Sequence, residues 1–290
     1  MLRPPLESRP LVPPAPLAEF GSEKMIYDLR MGPQAVADGN RVIVVYQGGE
    51  GVPVGHPHVA VYDRALRRWS PGFRVGEAAG RDHHFAPILW RDGRQLWHIL
   101  YNCHFSPGTH LVSRRPEDPT AWQPAPAIAP SISYPTVWTL SGGRRLLFYR
   151  VEGHLGYWVY RLSRDGGATW EAERLLLDFS YQARDEVDRW AGEYASLAVD
   201  PDGSTVHLGF CRWDERNGLH PRYRFHCELL KRYSLYYLQL DPETGRLTSS
   251  AGQNLTPPVN RRAAEACKVH DTGWELTNFP ALAADGHGRV

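Results

Sequence analysis

Between residues 82 and 150 the chain holds three kinds of side chain that can move protons or grip an anion: the imidazoles of His83, His84 and His104, the phenol of Tyr134 and the guanidinium of Arg150. Imidazole takes up and releases protons near neutral pH. A phenol, with a reference pKa of about 10, serves as a base only where neighbouring positive charge favours its phenolate. Arginine pairs bidentately with a carboxylate and stabilises negative charge that develops on it. Together such groups can take a proton from a carbon beside a carboxylate and deliver one to a leaving oxygen. Singly, each has a plainer use: a Tyr-Pro before a strand is packing plus a turn, and a strand-end arginine caps carbonyls. Only convergence on one surface makes them a site.

The elements that would bring them together read as a repeat. From Pro135 the chain gives an apolar run to Leu140, a Gly142-Gly143 turn, a second run over Arg145–Arg150, a third over Tyr157–Leu162, then an Asp-Gly-Gly turn and a fourth run from Thr169. Short β-rich runs joined by glycine turns predict a four-stranded antiparallel meander. Its strand–turn–strand half recurs at Ala35–Tyr46, Ala86–Tyr101 and Ala195–Phe210, and begins again at Pro280–Val290. The turn glycines Gly39, Gly93, Gly143 and Gly203 lie 54, 50 and 60 residues apart, close to the roughly 50-residue period of propeller blades. The expectation is an all-β fold, a β-propeller of four-stranded antiparallel blades with about four complete blades and a fifth that stops inside its first hairpin, as in a piece of a larger propeller. Residues 1–20, rich in proline, are expected to be a poorly ordered lead-in, and residues 21–290 the propeller domain.

This repeat assigns faces. In each blade the start of the first strand and the end of the second share a rim opposite the glycine turn. That rim collects Asp82-His83-His84 and Asn102-Cys103-His104 from the second blade, Tyr134 and Arg150 from the third, Gln47 from the first, and Tyr194 and Arg212 from the fourth. On the far face falls Ser163-Arg164-Asp165-Gly166-Gly167-Ala168-Thr169-Trp170, which fits the Asp-box pattern Ser-x-Asp-x-Gly-x-x-Trp of sialidase-like blades. There the aspartate accepts turn amide hydrogens, the glycines supply positive φ and the tryptophan fills the space beneath.

The run Asp82-His83-His84-Phe85-Ala86-Pro87, His104 twenty residues after His84, Tyr134-Pro135, and Phe148-Tyr149-Arg150 sixteen residues after the tyrosine complete a pattern. With the Asp-box and the repeat, the chain over roughly residues 32–290 resembles the BNR-repeat propellers that include the ulvan-lyase type of polysaccharide lyase. The resemblance implies β-elimination on a uronic-acid-containing polysaccharide, with no organic cofactor and a monomeric protein. For that chemistry Tyr134 is assigned as principal acid and base, His84 as its partner in proton transfer or charge neutralisation, His104 as an orienting residue and Arg150 as the carboxylate clamp, with Gln47, His83, Tyr194 and Arg212 at the rim as substrate contacts. The resemblance also implies export, although the N-terminal run has no apolar signal-peptide core.

Two other classes use the same rim. A propeller glycosidase needs facing carboxylates, for which Asp82, Glu152 and Glu193 are the candidates. A non-catalytic glycan-binding propeller needs only the aromatics and the arginine. Composition fits all three: 10 Trp and 14 Tyr suit a sheet protein that handles sugars, and a net charge of +1 gives no case for nucleic acid or a membrane surface. No apolar run reaches the ~20 residues of a membrane-spanning helix. Of the four cysteines, Cys103 reads as a buried apolar residue beside the rim. Cys211, Cys227 and Cys267 with His270 are the donors for an expected structural zinc, with free thiols or a disulfide as the alternatives.

Overall fold

The computed structural model describes residues 30–49, 55–80, 82–215, 232–273, 275–286 and 288–290. The expected lead-in over residues 1–20 lies outside them. Four antiparallel sheets follow one another along the chain. The first contains β1 (Ala35–Asp38), β2 (Arg41–Gly48), β3 (His56–Asp63), β4 (Arg68–Trp69) and β5 (Phe73–Arg74). The second contains β6 (Ile88–Arg91), β7 (Trp97–Tyr101), β8 (Thr109–Arg115) and β9 (Asp118–Pro124). β10 (Ser133–Thr139), β11 (Arg145–Arg150), β12 (Trp158–Ser163) and β13 (Arg174–Leu177) make the third. The fourth contains β14 (Ala191–Val199), β15 (Val206–Asp214), β16 (Arg232–Leu240), β17 (Leu247–Ser249) and β18 (Asn254–Leu255), with β19 (Lys268–His270) on β16.

The second strands are buried along nearly their whole length, as β7 (WHILY) and β11 (RLLFYR) illustrate. A strand covered on both faces reads as a continuous apolar run rather than an alternating one, which is why these segments carry no period-two pattern. One apolar cluster joins the second, third and fourth sheets through Trp90, Phe148, Trp158 and Phe210, and another joins the first and second through Ile43, Val45, Leu89 and Trp97.

The Asp-box turn ties neighbouring sheets. Asp165 accepts from Ser163 Oγ at 2.7 Å, Thr169 N at 2.9 Å and Thr169 Oγ1 at 2.7 Å. Its backbone carbonyl accepts from Gly93 N at 2.8 Å, and Trp90 of the second sheet donates Nε1 to Gly167 O at 3.0 Å. A Cβ on Gly93 would collide with that Asp165 carbonyl, so the residue that ends one blade's hairpin is also the point where the next blade docks.

The fifth repeat departs from expectation. Residues 280–290 form no paired strand among the described residues; Pro280 O accepts from Ser196 Oγ, Leu282 lies against Gly209, and Asp285 N–H bonds Arg289 O in a turn. A strand exists only with a ladder partner, and none of the described segments supplies one.

Candidate active site

The mouth is built on a deformation of β10. Ser133 pairs with Arg150 but Thr136 pairs with Phe148, so one extra residue is accommodated between them. Tyr134 there has φ +54°, in the left-handed region that a bulky side chain rarely enters. Pro135 has no N–H for the ladder, and a bulge at that point re-aims the neighbouring side chain. Strained backbone of this kind concentrates where function requires a particular orientation.

Facing Tyr134 is the short turn His83–Phe85, capped by Asp82, whose carboxylate accepts from His84 N at 3.0 Å. The same Asp82 oxygen lies 2.5 Å from His84 Nδ1, and His84 Nε2 lies 2.8 Å from Tyr134 Oη. The Asp82 contact places the imidazole proton on Nδ1, leaving Nε2 to accept from the tyrosine hydroxyl. Burial lowers the His84 pKa to about 4, with His83, Arg30 and His104 adding to the fall and Asp82 opposing it. For Asp82, burial works upward but the hydrogen bonds from His84 win and hold the carboxyl below its usual range. Burial pushes the Tyr134 phenol well above its ordinary value, with Tyr194 adding to the rise and Arg150 and Arg30 opposing it. At rest the pair is therefore a neutral phenol donating to a neutral imidazole. His104 stands 4.3 Å from the His84 ring, centroid to centroid, and its buried Nδ1 has no partner among the described residues.

Arg150 lies below this pair rather than in the open mouth. It is fully buried, its Cζ 4.7 Å from the Tyr134 ring centroid and 5.0 Å from that of Tyr194, and its three nitrogens find no hydrogen-bond partner among the described residues. Tyr194 is likewise buried, behind Tyr134, with Arg232 over its ring at 4.4 Å. Gln47 is buried and donates Nε2 to Asp82 O at 3.1 Å, bracing the histidine turn. His83 packs on His84 at 4.0 Å and contacts Arg30. Arg212 pairs with Asp214 at 2.8 Å and so is committed elsewhere.

Beside Tyr134 opens a cavity of about 550 Å³ that runs along the first strands β10 and β14, lined by Trp138, Phe148, Trp158 and Phe279 among others, with Arg30 and Arg232 as its guanidiniums. The sequence reading missed both arginines. Arg30 precedes the first repeat, and nothing in its immediate neighbours marks it.

The glycosidase carboxylates do not face one another here. Asp82 holds His84, Glu152 sits exposed in a separate depression with His154 and Glu215, and Glu193 is fully buried, its carboxyl raised well above the usual range by burial and then by Asp178.

The expected zinc donors also differ. Among the described residues the group of His, Cys, Asp and Glu with ligand atoms within 4.8 Å of one another is Asp82, His84 and His104. Cys211 pairs with Leu235, and Leu235 with His270, so Cys211 and His270 lie two strand spacings, about 10 Å, apart in the backbone. Cys211 and Cys267 are buried free thiols, His270 is exposed, and Cys227 lies outside the described residues. The Asp82–His84–His104 group could hold a metal ion. The Arg30 guanidinium, 3.3 Å from His84 Nε2, places positive charge where a dication would bind, and that favours its use in proton transfer.

Repeated antiparallel sheets pinned by an Asp-box turn, with a polar mouth at the opposite rim, define a β-propeller of the Asp-box class. The chain belongs to the BNR repeat-containing family, whose model matches residues 55–290. It is 28% identical to an ulvan lyase of Alteromonas sp. (strain LOR), over 89% of this chain and 57% of the relative, and 27% identical to the PL25 ulvan lyase of Pseudoalteromonas sp. (strain PLSV), over 85% and 54%. The chain thus spans a little over half the length of these curated relatives. Its fold matches a PL25 ulvan lyase structure with a TM-score of 0.80 at 23% identity, covering 94% of this chain and 65% of that one. It matches the same kind of enzyme bound to -[GlcA(1-4)Rha3S]- with a TM-score of 0.79 at 22% identity, with the same coverage.

Proposed function

We propose that this chain carries the catalytic mouth of a polysaccharide lyase that cleaves a uronic-acid-containing polysaccharide by β-elimination. The observation that carries the reading is the relay Asp82–His84–Tyr134, at 2.5 and 2.8 Å. Tyr134 passes its hydroxyl proton to His84 Nε2, and Asp82 stabilises the imidazolium. The phenolate takes the proton from C5 of the uronate, the C5–H electrons form the C4–C5 double bond, and the C4–O bond breaks. The leaving oxygen then takes a proton from Tyr134, and His84 returns the borrowed one. Burial makes the phenol a weak acid at rest, so the scheme needs cations that favour its anion only as it forms; Arg150, 4.7 Å from the ring, and Arg30, 4.6 Å from it, are placed for this. The relatives' activity on ulvan and the oligosaccharide in the related structure support an acidic polysaccharide as substrate class.

The test is to incubate protein containing this full chain with ulvan and follow the ultraviolet absorbance of the unsaturated uronate. Rising absorbance that Tyr134→Phe abolishes is the expected result. New reducing ends without absorbance would replace the reading by hydrolysis, and retained polymer binding with neither product would leave a glycan-binding propeller.

A further inference from the structure

β-Elimination beside a carboxylate needs a cation that meets the carboxylate itself, and the residue singled out for that task by sequence, Arg150, is fully buried beneath the two tyrosines. Arg30 is placed differently. Gly32 N donates to Pro135 O at 3.1 Å and Gly32 O accepts from Val137 N at 2.8 Å, so the segment after Arg30 runs as a short extra strand along the bulge that carries Tyr134. Pro33 O accepts from Leu89 N and Gln34 O from Val45 N, which fixes the same segment to the second and first sheets. The backbone ahead of the first blade is thus pinned to three blades at the mouth. The guanidinium it carries lines the cavity, lies over the Tyr134 ring, and reaches Tyr134 Oη at 3.5 Å and His84 Nε2 at 3.3 Å.

We propose that Arg30 is the residue that binds the substrate's uronate carboxylate, and that Arg150 acts through Tyr134 without touching substrate. The proposal rests on the lyase reading above. A planar fork at the cavity wall beside the proton-transfer pair would hold the carboxylate with C5 next to Tyr134 Oη, and the charge that builds on that carboxylate as the proton leaves would strengthen the contact. Arg232, the other cavity-lining guanidinium, is turned over the rings of Tyr194 and Trp213, on the far side of Tyr134 from the histidines in the contact order. Arg30 is the one in contact with the reacting pair.

The experiment compares wild type, Arg30→Ala and Arg30→Lys on ulvan, and measures binding of native and carboxyl-reduced ulvan in a Tyr134→Phe background, where turnover is slow enough for binding to be read. Arg30→Ala is expected to lower kcat/KM about 30-fold or more, with both kcat and KM affected, and to erase the preference of the Tyr134→Phe protein for the native over the carboxyl-reduced polymer. Arg30→Lys, keeping charge but not the fork, is expected to restore part of the binding preference and little of kcat. If wild type gives no unsaturated product, the lyase reading fails. If wild type is active and Arg30→Ala either keeps its rate or weakens binding of both polymers equally, this proposal is overturned while the lyase reading stands.

Discussion

Replacing Arg150 by methionine is expected to remove most of the activity without weakening the fold. The guanidinium is fully buried with no hydrogen-bond partner for its three nitrogens among the described residues; it lies against two tyrosine rings, and its charge also acts on Glu193 and His104. At an effective dielectric constant of about 20, a unit charge 4.7 Å from the centre of the phenolate ring, taken as the mean position of the anion's charge, stabilises it by about 3.5 kcal/mol. That equals about 2.6 units of phenol pKa, or a rate loss of about 400-fold if the phenolate is the base. Methionine is unbranched, flexible and apolar, so it fills much of the same space with no charge to desolvate. Burial and then Asp178 raise the Glu193 carboxyl while the Arg150 charge opposes that rise, so removing Arg150 pushes Glu193 further toward its neutral form, and stability is expected to change by about 1 kcal/mol or less. Initial rates of unsaturated-product formation and the urea midpoint, measured on the same preparations, test both halves. Arg150→Lys sharpens the test: an interior point charge restores part of the rate, whereas a residue that grips substrate bidentately tolerates lysine poorly. Arg150→Met with activity within about 3-fold of wild type would refute the electrostatic argument, as would equal, total loss in the lysine and methionine variants.

Tyr134→Phe is expected to lower the elimination rate by about 10²–10⁴-fold while polymer binding changes little, since it removes the proton-transfer hydroxyl and keeps the ring; rates and direct binding measured together check it. Asp82→Asn leaves an oxygen to accept from His84 but removes the carboxylate charge that stabilises the imidazolium, so kcat is expected to fall with KM nearly unchanged, a split that steady-state kinetics reads directly. Away from the mouth, His98 is buried against His110 at 3.0 Å and Asp92 at 3.3 Å, and burial, followed by the His110 charge, lowers its pKa to about 4. An unfolded histidine binds its proton near pH 6.5, so the unfolded state carries more protons between these values and stability falls as pH drops from about 6.5 to 4, by up to about 3 kcal/mol from this group. Urea unfolding at pH 7 and pH 5 of wild type and His98→Gln measures it, and the variant is expected to show the shallower dependence. Asp165→Ala removes three hydrogen bonds inside the Asp-box turn and is expected to cost about 1–3 kcal/mol in the same assay.

Most of the strand plan was legible from the chain because its determinants are local. Apolar runs of strand length, glycines where φ turns positive and the Asp-box hydrogen bonds all act within a few residues, and they placed Gly39, Gly143 and Gly203 in turns and Asp165 at the centre of its own. The rim rule brought His84, His104 and Tyr134 together because strand polarity alone says which ends of neighbouring hairpins share a face. Depth was not legible in the same way. Arg150 and Tyr194 sit at rim positions in sequence, yet whether a side chain points into the mouth or beneath it depends on a one-residue bulge and on what the adjoining sheet packs over it. Cys211 and His270 were close in a donor count and are separated by an intervening strand. Arg30 meets Tyr134 across 104 positions through backbone bonds that no local pattern encodes, and only the docking of three sheets on one short segment decides that this arginine faces the reacting hydroxyl.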